Sequence, residues 1–434
     1  MGLSNIGIAR LPTVLLYFFR TLCPFTNGVY SVKITEIKTY LMDAGWPQYN
    51  SVTKREEKGG WSARNWLFVK ICTDEGVYGI GEASGWPRVV ETAIHDLTPL
   101  LVGEDPNHIE RLWHKMLAGL MGHGMTGVVG HGAMTGIEMA LWDLKGKALS
   151  QPVWNLLGGK MRDEIRIYAH AHSREQARQL VDDGYTAIKT GGTHNCLESV
   201  QAIREEVGLA VDLMVDVHGP PWLSTRDAIA LGQRLEEYDL LFYEDPVAPE
   251  HIEAIARVSA AVNLPIAAGE RHASIWGVRE LIERELIDVV QPDTGRAGGL
   301  MQMKKMAALA EAHYCTMAPH DGSLGPVAEM AAVHLMATIP NFLILEHLAV
   351  DVPQRYTVMT GQPEIAHSHI KVPDRPGLGI DIVEEEIAKH PSQGNISLPD
   401  SSFDYQYFMP KQQRALWLSD EETPPPSYRA GQIF

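Results

Sequence analysis

Cysteine is scarce in this sequence, with four residues in 434. The four are widely scattered and form no Cys-x-x-Cys pair, so the sequence argues against a disulfide framework or a zinc ribbon. We therefore expect a reducing, cytoplasmic compartment. The cysteines are Cys23, Cys72, Cys196 and Cys315.

Basic residues are also fewer than acidic residues. The chain has 37 Lys and Arg residues against 54 Asp and Glu residues, which gives a formal net charge of −17. An acidic surface repels nucleic-acid phosphates and anionic lipid headgroups, because the charges have the same sign, and it does not release their counterions. We expect neither a nucleic-acid partner nor a membrane partner.

Long apolar runs are missing as well. The exception, Leu11–Phe19, is too short to span a bilayer, and Arg20 follows it without a small-x-small cleavage site. We interpret residues 1–31 as a disordered leader, with an export signal as the alternative. The last residues, 391–434, are rich in Pro, Ser and acidic side chains, which predicts an extension that wraps the surface or stays mobile.

The residues that are present suffice for a large core, since 45% are hydrophobic. Strand-like alternation occurs at Lys33–Ile37, Trp66–Ile71 and Val77–Ile80, and predicts an antiparallel meander. Helical spacing of apolar residues then runs from Val89 to about Leu157. We predict an α+β capping domain over residues 32–160.

Residues 161–350 repeat a different unit, in which a short apolar run ends in a polar residue and an amphipathic helix follows. From Lys189 to Glu346 the ends are 23 to 28 residues apart, close to one strand plus one helix of a parallel barrel. The eighth run leads into prolines that break any long helix. We predict a modified TIM barrel, (β/α)7β, with residues 351–390 returning to pack on the capping domain. The run ends are His170, Lys189, Asp216, Glu244, Glu270, Asp293, His320 and Glu346.

Three consecutive strand ends carry the acids Asp216, Glu244 and Glu270. The carboxyl ends of barrel strands open on one face, and like-charge repulsion opposes three carboxylates there unless a cation lies between them. Oxygen ligands without Cys or His favour a hard ion, so we predict a Mg²⁺ site. The alternative for each acid is that it only caps a loop or helix.

Two histidines accompany these acids. His320 ends the seventh run beside Asp293 of the sixth, and a carboxylate bonded to one imidazole nitrogen makes the other a general base. His218 lies two residues after Asp216, so both side chains point the same way along a strand. We predict a catalytic role for His218, with a supporting role beside the metal as the alternative.

The chain also contains the motifs Glu244-Asp245-Pro246, Gly269-Glu270-Arg271, Gly298-Gly299, Pro319-His320, the helical segment Gly136–Lys147 and the closing segment Val372–Gly379. Together these motifs resemble the enolase superfamily, in its mandelate racemase/muconate lactonizing enzyme branch, over about residues 32–390. The resemblance implies that Mg²⁺ binds a substrate carboxylate while His320, with Asp293, removes the adjacent carbon-bound proton. Glu346 is then expected near that carboxylate, either protonated and donating a hydrogen bond or in a salt bridge.

One departure from the family narrows the expected reaction. Its racemases and cycloisomerases typically place Lys-x-Lys at the second strand end, whereas this chain has Lys189-Thr190-Gly191. Glycine replaces the lysine base, and Lys189 remains as a substrate-binding cation. The Asp216-x-His218 pair is similar to that of acid-sugar (galactonate-type) dehydratases, which implies that His218 protonates the departing hydroxyl. The expected product is a 2-keto-3-deoxy acid.

Substrate choice in this family is attributed to capping-domain loops. We expect Trp46, Arg55 and Trp86 to contact the sugar acid, with His123 and His170 as weaker candidates; each could equally be plain loop. Two alternatives to dehydration stay open: an epimerase, racemase or cycloisomerase on the same fold, and a non-catalytic carboxylate-binding homologue. We also expect a homo-oligomer.

Overall fold

The computed structural model describes residues 32–50, 55–56, 63–120, 127–193, 195–219 and 222–393. The predicted leader lies outside these ranges, and so does the predicted C-terminal extension beyond residue 393. Within them, no helix is long and apolar enough to cross a membrane.

The first strands form a three-stranded antiparallel sheet in the order β1-β4-β5. Its pairing is that of the predicted meander, and the tight turn between β4 and β5 contains Gly76 with φ +77°. A hairpin of two short strands, β2 and β3, is inserted between β1 and β4. The strands are β1 (Ile34–Gly45), β2 (Tyr49–Asn50), β3 (Arg55–Glu56), β4 (Arg64–Thr73) and β5 (Tyr78–Ala83).

Four helices follow, of which the first and the third pack on this sheet. The first buries Val90, Ile94, Leu97 and Leu101, the three- and four-residue spacing of an amphipathic helix. The third is buried over most of its length, because it packs between the sheet and the barrel. The helices are α1 (Pro87–Leu101), α2 (Ile109–Leu120), α3 (Val128–Leu149) and α4 (Val153–Leu156).

Eight parallel strands then close into a barrel. β6 to β12 pair in sequence order, β13 pairs with β6, and a bridge between Met317 and Phe342 completes the ring. Each strand segment contributes one residue to an interior layer: Tyr168, Ala187, Met214, Phe242, Ala267, Val289, Ala318 and Ile344. The strands are β6 (Glu164–His170), β7 (Ala187–Gly191), β8 (Asp212–Asp216), β9 (Leu240–Glu244), β10 (Ile266–Ala268), β11 (Val289–Val290), β12 (Thr316–Met317) and β13 (Leu345–Glu346).

Seven helices of eight or more residues connect these strands, and within the described residues β13 is followed only by short helices, the first of which is the four-residue α12 (Gln354–Thr357). The predicted (β/α)7β barrel with an α+β cap is therefore confirmed. Serine side chains fix two helix starts, since Ser173 and Ser224 each accept a backbone N–H of the first turn. The helices are α5 (Arg174–Asp182), α6 (Cys196–Val207), α7 (Thr225–Leu235), α8 (Ile252–Ser259), α9 (Ser274–Glu283), α10 (Leu300–Ala312) and α11 (Pro326–Met336).

The segment after the barrel contacts both parts of the chain. β14 pairs with β2, and β17 pairs antiparallel with β6. Tyr40 donates a 2.6 Å hydrogen bond to Glu384, which joins β1 to this segment. The domain boundaries at residues 160 and 350, between the capping domain, the barrel and the returning segment, stay a prediction. The remaining elements are β14 (Val350–Asp351), β15 (Met359–Thr360), β16 (Ile365–Ala366), β17 (His369–Lys371), β18 (Asp381–Ile382) and α13 (Glu384–Ile387).

Candidate active site

A cavity of about 450 Å³ opens at the carboxyl ends of the barrel strands. It gathers most of the side chains that the strand ends predict, although Glu244 and Asp293 lie behind its wall. Its charged and imidazole-bearing lining residues are His170, His172, Lys189, Asp216, His218, Glu270, His320 and Glu346.

The three predicted metal ligands occupy neighbouring strand ends. Asp216 and Glu244 are register partners on β8 and β9, and Glu270 follows β10 by two residues, past Gly269 at φ +145°. Lys189 Nζ lies 2.9 Å from Glu244 Oε2 and 3.8 Å from Asp216 Oδ2. A basic side chain thus contacts two of these acids.

Glu270 is paired with two arginines. Arg296 donates a 2.8 Å hydrogen bond to Glu270 Oε1, and Arg271 lies 3.4 Å from Oε2. Although burial opposes ionisation, His320 and these two arginines lower the pKa of Glu270 to about 2. The carboxylate is therefore ionised at neutral pH.

These residues fit a hard divalent cation by donor type. The set offers only carboxylate oxygens, and Glu244 Oε1 is buried without a hydrogen-bond partner. Burial and the Asp216 charge raise the pKa of Glu244 to about 8, although Lys189 opposes the shift. A further positive charge beside Glu244 would therefore favour the ionised form of its carboxyl group. Among the described residues, no three Asp, Glu, His or Cys side chains already converge as a metal cluster.

His320 is held by Asp293 across the ends of two neighbouring strands. Its Nδ1 lies 2.8 Å from Asp293 Oδ2, whereas Nε2 faces Glu270 Oε1 at 3.5 Å and Glu346 Oε2 at 3.6 Å. Burial disfavours the imidazolium, but Glu270, Glu346 and Asp293 raise the pKa of His320 to about 9. The nitrogen that faces the cavity can exchange a proton while Asp293 fixes the other.

His218 is held by the acid two residues before it. Its Nδ1 lies 2.8 Å from both Asp216 oxygens, and its backbone N–H donates to Oδ1 at 3.0 Å. The Asp216 charge outweighs burial and raises the pKa of His218 to about 9. A protonated His218 is a proton donor at neutral pH.

Glu346 is in a salt bridge, the second of its two predicted arrangements. Its Oε1 lies 3.0 Å from Lys189 Nζ and 2.7 Å from His170 Nε2, and its Oε2 accepts the backbone N–H of Asp321. Despite burial, Lys189 and His320 hold the pKa of Glu346 well below its usual range. Glu346 is thus an acceptor in this arrangement rather than a protonated donor.

The second strand end has no space for another lysine base. A Cβ atom at Gly191 would lie 2.6 Å from the backbone oxygen of Asp216. The backbone of β8 therefore occupies the position in which a side chain would begin.

The predicted capping-loop contacts are only partly tested. Trp46 is 47% exposed, and it is not one of the described residues that line the cavity. Trp86 is 56% exposed and lines a neighbouring cavity of about 250 Å³. Its φ of +89°, in the left-handed region, turns the chain into α1. The side chain of Arg55 and all of His123 lie outside the described residues.

Several polar residues at this site were not predicted. His172 lines the cavity two residues after His170, so strand alternation could have revealed it. Ser323 lines both cavities, and Arg296 contacts Glu270 and Asp293. These two lie in loops, where no periodic pattern marks a side chain.

Comparison with known families gives two matches. A family described as enolase C-terminal domain-like matches residues 172–386, and one described as the mandelate racemase/muconate lactonizing enzyme N-terminal domain matches residues 40–158. Together they cover most of the described chain.

Curated relatives and solved structures agree with these matches. A D-xylonate dehydratase of Haloferax volcanii is 32% identical over 398 residues, covering 85% of this chain and 91% of that protein. A D-galactonate dehydratase of Cronobacter sakazakii is 35% identical over 76% of this chain and 91% of its own.

Two solved structures have the same fold and similar coverage. An enolase from Pantoea ananatis with bound D-gluconate and Mg is 30% identical, with a TM-score of 0.74 over 84% of this chain and 96% of its own. The 3,6-anhydro-D-galactonate cycloisomerase of Zobellia galactanivorans is also 30% identical, with a TM-score of 0.74 over 83% of this chain and 100% of its own.

Proposed function

The chain belongs to the mandelate racemase/muconate lactonizing enzyme branch of the enolase superfamily, and on that premise we propose that it is a Mg²⁺-dependent sugar-acid dehydratase. It removes the proton next to the substrate carboxylate and eliminates the 3-hydroxyl group. The names of its relatives, D-xylonate and D-galactonate dehydratase, support this substrate class and reaction.

The observation that carries the proposal is the pair of histidines on one cavity. His320 and His218 both line it, and each has one imidazole nitrogen held 2.8 Å from a carboxylate. β-Elimination of water needs one proton acceptor and one proton donor, because hydroxide is a poor leaving group. The cavity offers two such groups, and Gly191 excludes a lysine base.

Asp216, Glu244 and Glu270 would hold Mg²⁺. When bound there, the ion stabilises the negative charge that develops on the substrate carboxylate as the weakly acidic carbon-bound proton leaves. The gluconate- and Mg-bound relative supports this assignment. A cation held by Glu270 would offset the carboxylates that raise the pKa of His320, which would favour the neutral form of His320 as a base.

The protein's own groups then carry the protons. His320 Nε2 takes the proton from C2, while Asp293 keeps Nδ1 protonated and fixes the ring. His218 gives a proton to the C3 hydroxyl, so the C3–O bond breaks and water leaves. The resulting enol tautomerises to the 2-keto-3-deoxy acid. Lys189 neutralises Glu346 and Glu244 beside the reacting carboxylate.

The test is incubation of the protein and Mg²⁺ with a panel of aldonates that includes D-xylonate, D-galactonate and D-gluconate. We expect a 2-keto-3-deoxy acid from at least one, and no product after Mg²⁺ is removed with EDTA. His320→Asn is the matched inactive control. An absence of turnover across the panel, with folded protein and excess Mg²⁺, contradicts the proposal.

A second candidate is epimerisation or cycloisomerisation, which the Zobellia galactanivorans cycloisomerase favours by its similarity over the whole of its chain. Here His218 acts as a second base or as an acid toward a carbon centre. Solvent deuterium in recovered or isomerised substrate, without keto acid, would select this reaction over dehydration.

A further inference from the structure

The end of β5 reaches the proposed base pair directly. Ser84, the first residue after β5, donates a 2.9 Å hydrogen bond from Oγ to Asp293 Oδ1. Its backbone N–H also donates to the carbonyl of Gly295 at 2.9 Å, and Gly295 N–H in turn donates to Asp293 Oδ1. A residue of the N-terminal α+β region is thus bonded to the carboxylate that holds His320.

The two oxygens of Asp293 have separate tasks. Oδ1 accepts from Ser84 and Gly295, whereas Oδ2 faces His320 Nδ1 at 2.8 Å and Arg296 at 3.3 Å. The carboxylate is fully buried, so water cannot readily replace a lost donor. Fixing Oδ1 therefore fixes the direction in which Oδ2 points.

The contact is also sterically close. A Cβ atom at Gly295 would lie 2.7 Å from Ser84 Oγ, so glycine is needed to admit the serine hydroxyl. Ser84 lines the smaller cavity rather than the one that contains His320 and His218. Its side chain is therefore placed to act through Asp293 rather than on the substrate.

We propose that Ser84 is a positioning residue for proton abstraction, holding Asp293, and through it His320, in the orientation that the reaction needs. The kinetic part of this inference rests on the proposed function. Loss of one hydrogen bond that orients a reacting group through a supporting residue typically costs about 10-fold in rate. The hydroxyl of Ser84 couples the capping region to the base.

The kinetic experiment compares Ser84→Ala with Ser84→Thr, which retains the hydroxyl at a residue that lines the adjacent cavity of about 250 Å³. For Ser84→Ala we expect kcat to fall about 10-fold with KM within about two-fold, and Ser84→Thr to recover most of kcat. Thr39→Ala is the matched control, since Thr39 donates a 2.9 Å hydrogen bond to Glu91 in the same region. Its kcat should not change.

A spectroscopic readout tests the inference without substrate. In protein with ¹⁵N-labelled histidine, the His320 Nδ1–H resonance, assigned by its loss in His320→Asn, reports the hydrogen bond to Asp293. We expect Ser84→Ala to shift it, Ser84→Thr to restore it and Thr39→Ala to leave it in place. If Ser84→Ala does not fold, Ser84→Cys, a weaker donor of similar shape, takes its place.

The outcomes separate this inference from the proposed function. A shifted resonance in a protein that dehydrates no aldonate supports the role of Ser84 and contradicts the dehydratase. An unshifted resonance, a kcat loss that Ser84→Thr does not relieve, or an equal loss in Thr39→Ala overturns the inference while leaving the dehydratase intact.

Discussion

At the scale of single residues, the two histidines of the cavity differ in how they are held. His218 is bound to an acid two residues away on its own chain segment, with both carboxylate oxygens at 2.8 Å. His320 is bound to Asp293 of the preceding strand, and its other nitrogen faces two further carboxylates. The proposed reaction assigns abstraction of the carbon-bound proton to His320 and donation of a proton to oxygen to His218.

The roles of these histidines can be separated by deuterium exchange. We expect His320→Asn to lose both dehydration and exchange of the C2 proton with solvent, each by 10²-fold or more, a factor on the order of general acid–base contributions. His218→Asn should lose dehydration by a similar factor but retain exchange, because proton abstraction precedes loss of the hydroxyl. NMR of the substrate in D₂O measures both.

The control for this pair is His114→Asn, since His114 is a largely exposed histidine on α2, away from the cavity. It should retain both reactions. If His218→Asn lost exchange as completely as His320→Asn, the assignment of base and acid to separate histidines would be contradicted.

Strand-end reasoning located the cavity residues because a barrel places every carboxyl strand end on one face. The same placement applies where the strands are short. β11 and β12 end three residues before Asp293 and His320, and Pro292 and Pro319 lie in the intervening segments. Ser84 and Arg296 could not be found in this way. Ser84 lies 209 residues from Asp293, and Arg296 lies in a loop 26 residues from Glu270, so only the folded chain shows these contacts.

At the scale of elements, the packing of α3 on β5 explains part of the helical motif Gly136–Lys147. The backbones approach so closely that a Cβ at Gly79 would lie 2.0 Å from the oxygen of Ala140, and one at Gly81 would lie 2.1 Å from that of Gly136. Two acids of the motif serve other elements: Glu138 accepts N–H groups at the start of α10, and Asp143 accepts those of Ile80 and Leu378.

Substitution of Gly81 by alanine tests this close approach. The added methyl has backbone on its far side, so strand and helix must separate, and we expect a loss of about 3 kcal/mol or more in unfolding free energy. Gly127→Ala is the matched control, because nothing lies within 4 Å of a Cβ there and its φ is −73°. Urea denaturation measures both, and equal stability of the two variants would contradict the expected clash.

The same scale shows what the sequence pattern could not predict. The long helices and the barrel rhythm follow from apolar periodicity, but β2, β3 and β14 to β18 have only two or three residues each. Such strands are too short for alternation, and β2 pairs with β14 across about 300 residues of chain. Their pairing depends on tertiary contacts that no local pattern encodes.

A buried histidine joins α11 to α4 and makes stability depend on pH. His334 Nδ1 accepts the backbone N–H of Trp154 at 3.2 Å, and burial lowers the pKa of His334 to about 4, although Leu378 and Asp374 oppose the shift. Between about pH 4 and pH 6.5 the unfolded chain therefore binds a proton that the folded chain does not. Stability is lost as the pH falls through this range.

The measurement is the difference in unfolding free energy between the wild-type protein and His334→Gln, which does not titrate and can still accept the Trp154 N–H. We expect this difference to decrease by about 3 kcal/mol as the pH falls from 7 to 4. If the unfolding free energies of the two proteins differed by the same amount from pH 7 to pH 4, His334 would not titrate with a lowered pKa.

At the scale of the whole molecule, buried charges join the N-terminal region to the barrel. The Glu82 carboxylate of β5 accepts backbone N–H groups of Gly325, Val327 and Ala328 at the start of α11. Arg64 of β4 lies 2.8 Å from Asp351, which also pairs with Arg355 at 2.6 Å. Helix starts of the barrel are thus completed by acids from the cap.

Arg64→Met tests whether this junction makes the two parts unfold together. The substitution removes one partner of a fully buried ion pair, which typically costs about 3–5 kcal/mol. If the junction couples the cap to the barrel, far-UV circular dichroism and tryptophan fluorescence should shift to the same lower denaturant midpoint. Arg178→Met, which removes an exposed pair with Asp182 on α5, should change stability by no more than about 1 kcal/mol. Two separate transitions in Arg64→Met would mean that the cap and the barrel no longer unfold as one unit.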